Sequence, residues 1–333
     1  MDFGNCIKCK QYKYLINKGK CVSCSPEPLF NSENTLLLGR IGTGKTVKIN
    51  QHINRKLDID KDTEVYIIDI FKNYNQTIDK YESKKEVIDS TVKLNPIKHI
   101  PKEENLYKFI DNILVDVLDY KMDEIEKISL KNAIKKHSGK IETITDISKI
   151  ENAYNERLSK KLGCLSESRY GRQSDITIDP VKRVNYFDFG NHLNSATDIF
   201  SIFSQVYETA ISTDKESIII LDSSSYLLKS FGNLLGEYYQ ESGNKNINIL
   251  MSSCDVERFS NKNYDNYNIS LMDTVAILGC TPKCELYDIM GIPKDIQDEI
   301  SDSSNIYELF SNKNNKWEHN PVKLTDYERK TMI

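Results

Sequence analysis

An apolar run from Leu36 to Leu38 leads straight into Gly39-Arg40-Ile41-Gly42-Thr43-Gly44-Lys45-Thr46, and a helix-like run from Val47 to Leu57 follows. Glycine, four free positions, glycine, lysine and threonine is the spacing of a phosphate loop. Its glycines let backbone N–H groups curl around a β-phosphate without Cβ clashes, Lys45 supplies a point charge to the β- and γ-phosphates, and the Thr46 hydroxyl is a ligand for magnesium. Arg40, Ile41, Gly42 and Thr43 lie between the end glycines and lend further N–H groups. A chance glycine-rich turn would lack the strand before it and the helix after it. The context therefore predicts a strand, loop and helix that bind a nucleotide with magnesium through Gly39, Arg40, Ile41, Gly42, Thr43, Gly44, Lys45, Thr46 and Val47.

Further apolar runs end in polar residues: Val65 to Ile68 before Asp69, Val184 to Phe187 before Asp188, Ile218 to Leu221 before Asp222, and Ile247 to Met251 before Ser252-Ser253-Cys254. Helical segments, Ile199 to Ile211 and Tyr226 to Glu241, intervene as parallel crossovers require. The pattern predicts an α/β chain with a mainly parallel central sheet whose carboxyl edge carries the site. Ser217 to Asp222 reads as a Walker B strand, an apolar run closed by a carboxylate that orders magnesium through its water shell. Asp222 alone is weak evidence, and its force comes from lying in the same sheet as the phosphate loop.

Between Pro96 and Leu165 the pattern changes to apolar residues at helical spacing, over Leu106 to Tyr120, Asp123 to Lys136 and Ile144 to Leu162. This predicts a helical insertion, with the core in two parts: residues 29–97 and 166–333 around an insertion at 98–165. The tail from Asn312 to Ile333 is polar, holds the single Trp317 and shows no clear periodicity.

Cys6, Cys9, Cys21 and Cys24 form two Cys-x-x-Cys pairs separated by eleven residues, the layout of a small zinc ribbon over residues 1–28. Zinc takes four tetrahedral thiolates, and a module of roughly thirty residues is too small to fold on its own core, so the metal would hold it together. Lys8, Lys10, Lys13, Lys18 and Lys20 with Tyr12 and Tyr14 suit phosphate contact and base stacking, and a protein contact suits the ribbon equally. Cys164, Cys254, Cys280 and Cys284 form no comparable set.

The charge balance, 45 basic against 49 acidic residues, leaves no protein-wide positive field, so any DNA contact would be local. No stretch approaches the ~18 apolar residues of a membrane helix, and Met1 to Asn5 lacks a signal layout, which makes a cytoplasmic location without membrane insertion the expectation.

With these residues together, the chain resembles the FtsK–HerA superfamily of RecA-like motor ATPases, and within it the conjugation and type IV secretion ATPases, from about Asn34 to Tyr327. Asp69-Ile70-Phe71-Lys72-Asn73-Tyr74 is similar to the family's Asp-Pro-x-Gly-Glu-Tyr, and Leu94-Asn95-Pro96 matches the Leu-Asn-Pro after it. Asn185 to Phe189 resembles the strand before Walker B, and Met290-Gly291-Ile292 the late Leu-Gly-Leu. The resemblance implies a homo-oligomeric ring, a hexamer in most relatives, that couples ATP hydrolysis to moving DNA or a DNA-associated substrate. Lys45 and Asp222 would be catalytic, and Arg169 or Arg172 would reach a neighbouring subunit's site.

Three departures surround the γ-phosphate position. Ser223 stands where the family has the glutamate of Walker B, Asn73 where it has an acid, and Cys254 where it has a glutamine. Losing a general base slows a reaction ~10²- to 10⁴-fold while leaving nucleotide binding to Lys45, Thr46 and Asp222. Asp69 and Asp188 are the nearby carboxylates available to stand in. The alternative expectation is a nucleotide-gated binding subunit of a larger complex that hydrolyses little or nothing. A nucleotide kinase is a weaker third, because the long helical insertion does not suit it.

Overall fold

A computed structural model describes residues 2–5, 12–17, 20–21, 34–71, 73–100, 103–152, 154–171, 173–190, 195–222, 224–254, 272–279, 285–302, 308–313 and 316–321. The strands are β1 (Asp2–Asn5), β2 (Tyr12–Asn17), β3 (Lys20–Cys21), β4 (Thr35–Leu38), β5 (Glu64–Asp69), β6 (Ser83–Val87), β7 (Val184–Asp188), β8 (Ser217–Leu221), β9 (Ile247–Ser253), β10 (Thr274–Leu278), β11 (Glu308–Lys313) and β12 (Lys316–Pro321). The helices are α1 (Lys45–Ile59), α2 (Asn75–Lys80), α3 (Glu103–Leu118), α4 (Glu124–His137), α5 (Ile144–Glu151), α6 (Glu156–Glu167), α7 (Ala196–Ile211), α8 (Ser225–Ser242), α9 (Glu285–Ile289) and α10 (Lys294–Asp302).

Nine strands form one sheet in the order β12-β11-β10-β4-β9-β8-β5-β7-β6. From β10 to β6 every neighbouring pair is parallel. The antiparallel hairpin β11–β12 extends the β10 edge. The inner strands are buried along their whole length, which is why they read as continuous apolar runs rather than as alternation.

Strand side chains alternate between faces, so each run feeds two cores. Leu37, Val65, Ile67, Ile218, Ile220 and Leu250 meet Ile49, Ile53 and Leu57 of α1 on one face. Leu36, Tyr66, Ile68, Ile219, Leu221 and Met251 meet α3, α7 and α8 on the other. Each fully buried Leu, Ile or Phe side chain contributes roughly 1.5–3 kcal/mol relative to exposure.

The helical insertion is built partly into this second core. Phe109 of α3 stacks on Phe200 of α7 and Phe231 of α8, at 5.5 and 5.7 Å between ring centroids. One expected element divides. The run from Ile144 to Leu162 is two helices, because Asn155 breaks the path and caps α6 with its side chain, accepting from Leu158 N at 3.0 Å. The tail also departs from the reading as irregular, since residues 316–321 are strand and Trp317 is buried.

At the amino terminus β1, β2 and β3 make a separate antiparallel sheet, with Asn5 opposite Tyr12 and Leu15 opposite Cys21. Cys6, Cys9 and Cys24 lie outside the described residues, as do Ser223 and Arg172. For Cys21 only the backbone position in β3 is described. Among the described residues no helix is long and apolar enough to cross a membrane.

Candidate nucleotide site

The loop after β4 takes the shape its glycines allow. Gly42 and Gly44 sit at φ 84° and 86°, a left-handed backbone in which an L side chain is strained. At Gly39 crowding is the constraint, since a Cβ there would lie 2.5 Å from Thr43 Oγ1 and 3.1 Å from Leu278 Cβ. Thr43 closes the turn by donating its hydroxyl to Arg40 O at 2.8 Å. Gly44 precedes α1 without any side-chain cap, and the first turn of the helix holds no acidic residue. The N-terminal end of α1 is thus left positive and receptive to an anion. Arg40 and Ile41 are exposed on the outside of the loop, whereas Lys45, Thr46 and Val47 are half-buried.

Lys45 folds back over the loop and donates to Gly39 O at 2.5 Å and Arg40 O at 3.0 Å. Burial pushes its pKa down, and the nearby Asp222 carboxylate opposes that shift. The sheet order explains that meeting. β4 and β8 are separated only by β9, so the phosphate loop and Asp222 face each other across the end of β9, where Ser252, Ser253 and Cys254 lie. Gly39 N donates to Ser253 O at 3.2 Å, joining loop to strand.

Asp222 is buried at the end of β8. Its Oδ1 accepts from Ser252 Oγ, and its Oδ2 accepts from Asn73 Nδ2 at 3.3 Å. The Tyr74 hydroxyl is buried against Asp222, and its pKa is raised first by burial and then by the charges of Asp222 and Asp69.

Asp69 is occupied with structure. Its Oδ1 accepts from Phe71 N at 2.8 Å, and its Oδ2 accepts from Asn73 N at 2.6 Å and from the Tyr186 hydroxyl at 2.8 Å. Burial raises its pKa to about 6, with Asp222 adding to the rise and the hydrogen bonds opposing it. Asp188, the register partner of Asp69, is buried and paired with Lys85 at 3.0 Å. Asp69 is thus held on both oxygens, whereas Asp188 is held on Oδ2 while its buried Oδ1 has no hydrogen-bond partner. Arg169 is engaged within the chain, donating Nε to Val92 O at 3.0 Å and pairing with buried Asp198 at 3.3 Å.

The structure thus brings together Gly39 to Val47, Asp222, Asn73 and the Ser252–Cys254 tip. The role of Ser252 was not evident in the sequence, because a serine closing an apolar run carries no signal of what it touches. These donors fit a magnesium-bound triphosphate: a lysine ammonium, uncapped helix N–H groups and a cradle closed to Cβ atoms for the phosphates, with the Thr46 hydroxyl and Asp222 for the cation. No cluster of three or more metal-ligating side chains occurs among the described residues.

This strand order, loop and carboxylate define a RecA-like P-loop NTPase fold. Solved structures share this fold. VirB4 of Thermoanaerobacter pseudethanolicus matches with a TM-score of 0.71 at 16% identity, over 89% of this chain and 90% of that one. The plasmid coupling protein TrwB in complex with the GTP analogue GDPNP matches at 0.57 and 13% identity, over 88% and 86% of the two chains. TrwB in complex with ADP and Mg²⁺ matches at 0.55 and 12% identity, over 88% and 86%. The resemblance to FtsK–HerA ATPases is borne out at the level of the fold. No protein-family model matches the chain, and no curated protein matches it.

Proposed function

We propose that the chain binds Mg·ATP at residues 39–47 and Asp222 and acts as an oligomeric motor ATPase on DNA or a DNA-associated substrate. The observation that carries this reading is the convergence of Lys45 and Asp222 across the tip of β9. Lys45 and the N–H groups of the loop would grip the phosphates, and Thr46 with Asp222 would hold magnesium, which supplies charge neutralisation on the transferring phosphoryl group. The likeness to VirB4 and to a plasmid coupling protein supports a conjugation-type role; a homo-oligomeric ring of hexamer type and a DNA partner are what the family resemblance implies.

A second reading, a slow or non-hydrolysing nucleotide-gated subunit, draws support from one specific observation. Asp69, one carboxylate that could replace the missing Walker B acid, is already committed on both oxygens to turn N–H groups and to Tyr186. ATP turnover of the full chain, measured with and without single- and double-stranded DNA, separates the two. DNA-raised turnover is the expected result for a motor. Tight nucleotide binding with no turnover under any condition would remove the motor and leave the binding subunit.

Zinc at Cys6, Cys9, Cys21 and Cys24 is part of the same proposal, with the ribbon as a docking handle for DNA or a protein. The spacing of the two Cys-x-x-Cys pairs supports it, since each pair delivers two thiolates from one tight turn. Metal analysis of the purified chain is expected to find about one zinc per chain, lost in Cys6→Ser/Cys9→Ser. A metal-free wild-type chain would leave four unligated thiols and no ribbon.

A further inference from the structure

Both oxygens of Asp222 are held by neutral donors, and the donors come from two different elements. Ser252 Oγ donates to Oδ1 from the end of β9, and Asn73 Nδ2 donates to Oδ2 at 3.3 Å from the turn after β5. Each donor is itself fixed. Ser252 stands opposite Leu37 of β4 in the sheet register, its carbonyl accepts Ser224 N and Ser224 Oγ at 2.9 Å each, and its neighbour Ser253 accepts Gly39 N. Asn73 is anchored through its own N–H to Asp69, which also holds Phe71 N and the Tyr186 hydroxyl.

We propose that Ser252 and Asn73 are positioning residues that fix the Asp222 carboxylate for a magnesium ion arriving with nucleotide; the proposal rests on the nucleotide-binding reading above. A carboxylate offers about four acceptor directions, of which Ser252 and Asn73 take two. A carboxylate fixed in this way presents the remaining directions without first losing rotational freedom. Groups that orient a metal-binding side chain typically govern metal affinity by ~10- to 100-fold when removed. The same two contacts link the cation side of the site to its phosphate side, because the strand tip that holds Asp222 also carries the carbonyl that accepts Gly39 N.

The test measures binding and needs no turnover. A fluorescent ATP analogue is titrated into the full chain once in chelator and once in saturating Mg²⁺, and the ratio of the two dissociation constants is the magnesium-linked gain. Ser252→Ala is expected to cut that gain about 10-fold. Asn73→Ala should cut it by a smaller factor, because its bond is longer and lies on an exposed turn. Affinity in chelator should stay within about twofold for both, since the bonds they lose go to Asp222 rather than to the phosphates. Ser252→Thr, which keeps the hydroxyl, should recover the gain. Melting curves taken alongside report folding, and the exposed Asn73 position carries the test if the buried one does not fold. A gain unchanged in both alanine variants would overturn the proposal while leaving nucleotide binding intact. A wild-type chain that binds no nucleotide would instead overturn the reading beneath it.

Discussion

Lys45→Ala should lower affinity for Mg·ATP ~10- to 10²-fold while leaving the fold in place. A hydrogen bond to a charged group is worth about 1.5–3 kcal/mol, and each 1.4 kcal/mol is a factor of ten. The Lys45 ammonium lies over the loop on Gly39 O and Arg40 O, partly stripped of water, where its charge acts through less screening than at an open surface. Removing it costs those two loop contacts but also relieves the burial that depresses its pKa, so the melting temperature without nucleotide should change little. The rise in melting temperature with added Mg·ATP, which follows the logarithm of ligand concentration over dissociation constant, should collapse. A variant that keeps the full nucleotide-dependent rise would show that the loop does not cradle phosphate through this lysine.

Phe200→Ala should have the largest effect on stability, a loss of ~3–5 kcal/mol. Phe200 is fully buried, and its ring lies 4.6 Å from that of Phe231 and 5.5 Å from that of Phe109. Its truncation leaves a cavity and removes stacked pairs that add about 0.5–1.5 kcal/mol each beyond burial. Phe109 belongs to the helical insertion, so the loss should appear in one cooperative unfolding transition that includes the insertion. Denaturant unfolding followed by both fluorescence and circular dichroism checks this. A separate early transition for the insertion, with less than ~1 kcal/mol lost from the rest, would mean that α3 is an appendage rather than part of the core.

The inner sheet was legible because burial on both faces leaves strands such as Val65 to Ile68 and Ile218 to Leu221 little choice of residue. The carboxylates ending them were legible for the same reason, as polar residues at the edge of an apolar run. β6 was not, since Ser83-Lys84-Lys85-Glu86-Val87 pairs only with β7 and carries charges in place of an apolar run. The β11–β12 hairpin was not, because its place comes from pairing along β10 rather than from any pattern of its own. The start of α5 could have been read: Thr143 and Asp146 form a reciprocal capping box, a signal four residues long in sequence. The holders of Asp222 could not. Asn73 is 149 positions away and Ser252 is 30, and only the folded sheet brings them to one carboxylate.

The two outer strands of the sheet also bear on how copies of the chain can meet. At one rim β6 carries Lys84 and Lys85, whose ammonium groups are drawn to Glu86 and Asp188, and at the other β12 finishes in Pro321, which has no N–H to offer. Charged side chains and proline at such rims discourage a further strand from adding itself. Growth of an open-ended fibre by strand upon strand is therefore disfavoured, and a closed assembly of this chain would have to be cemented through its helices and loops.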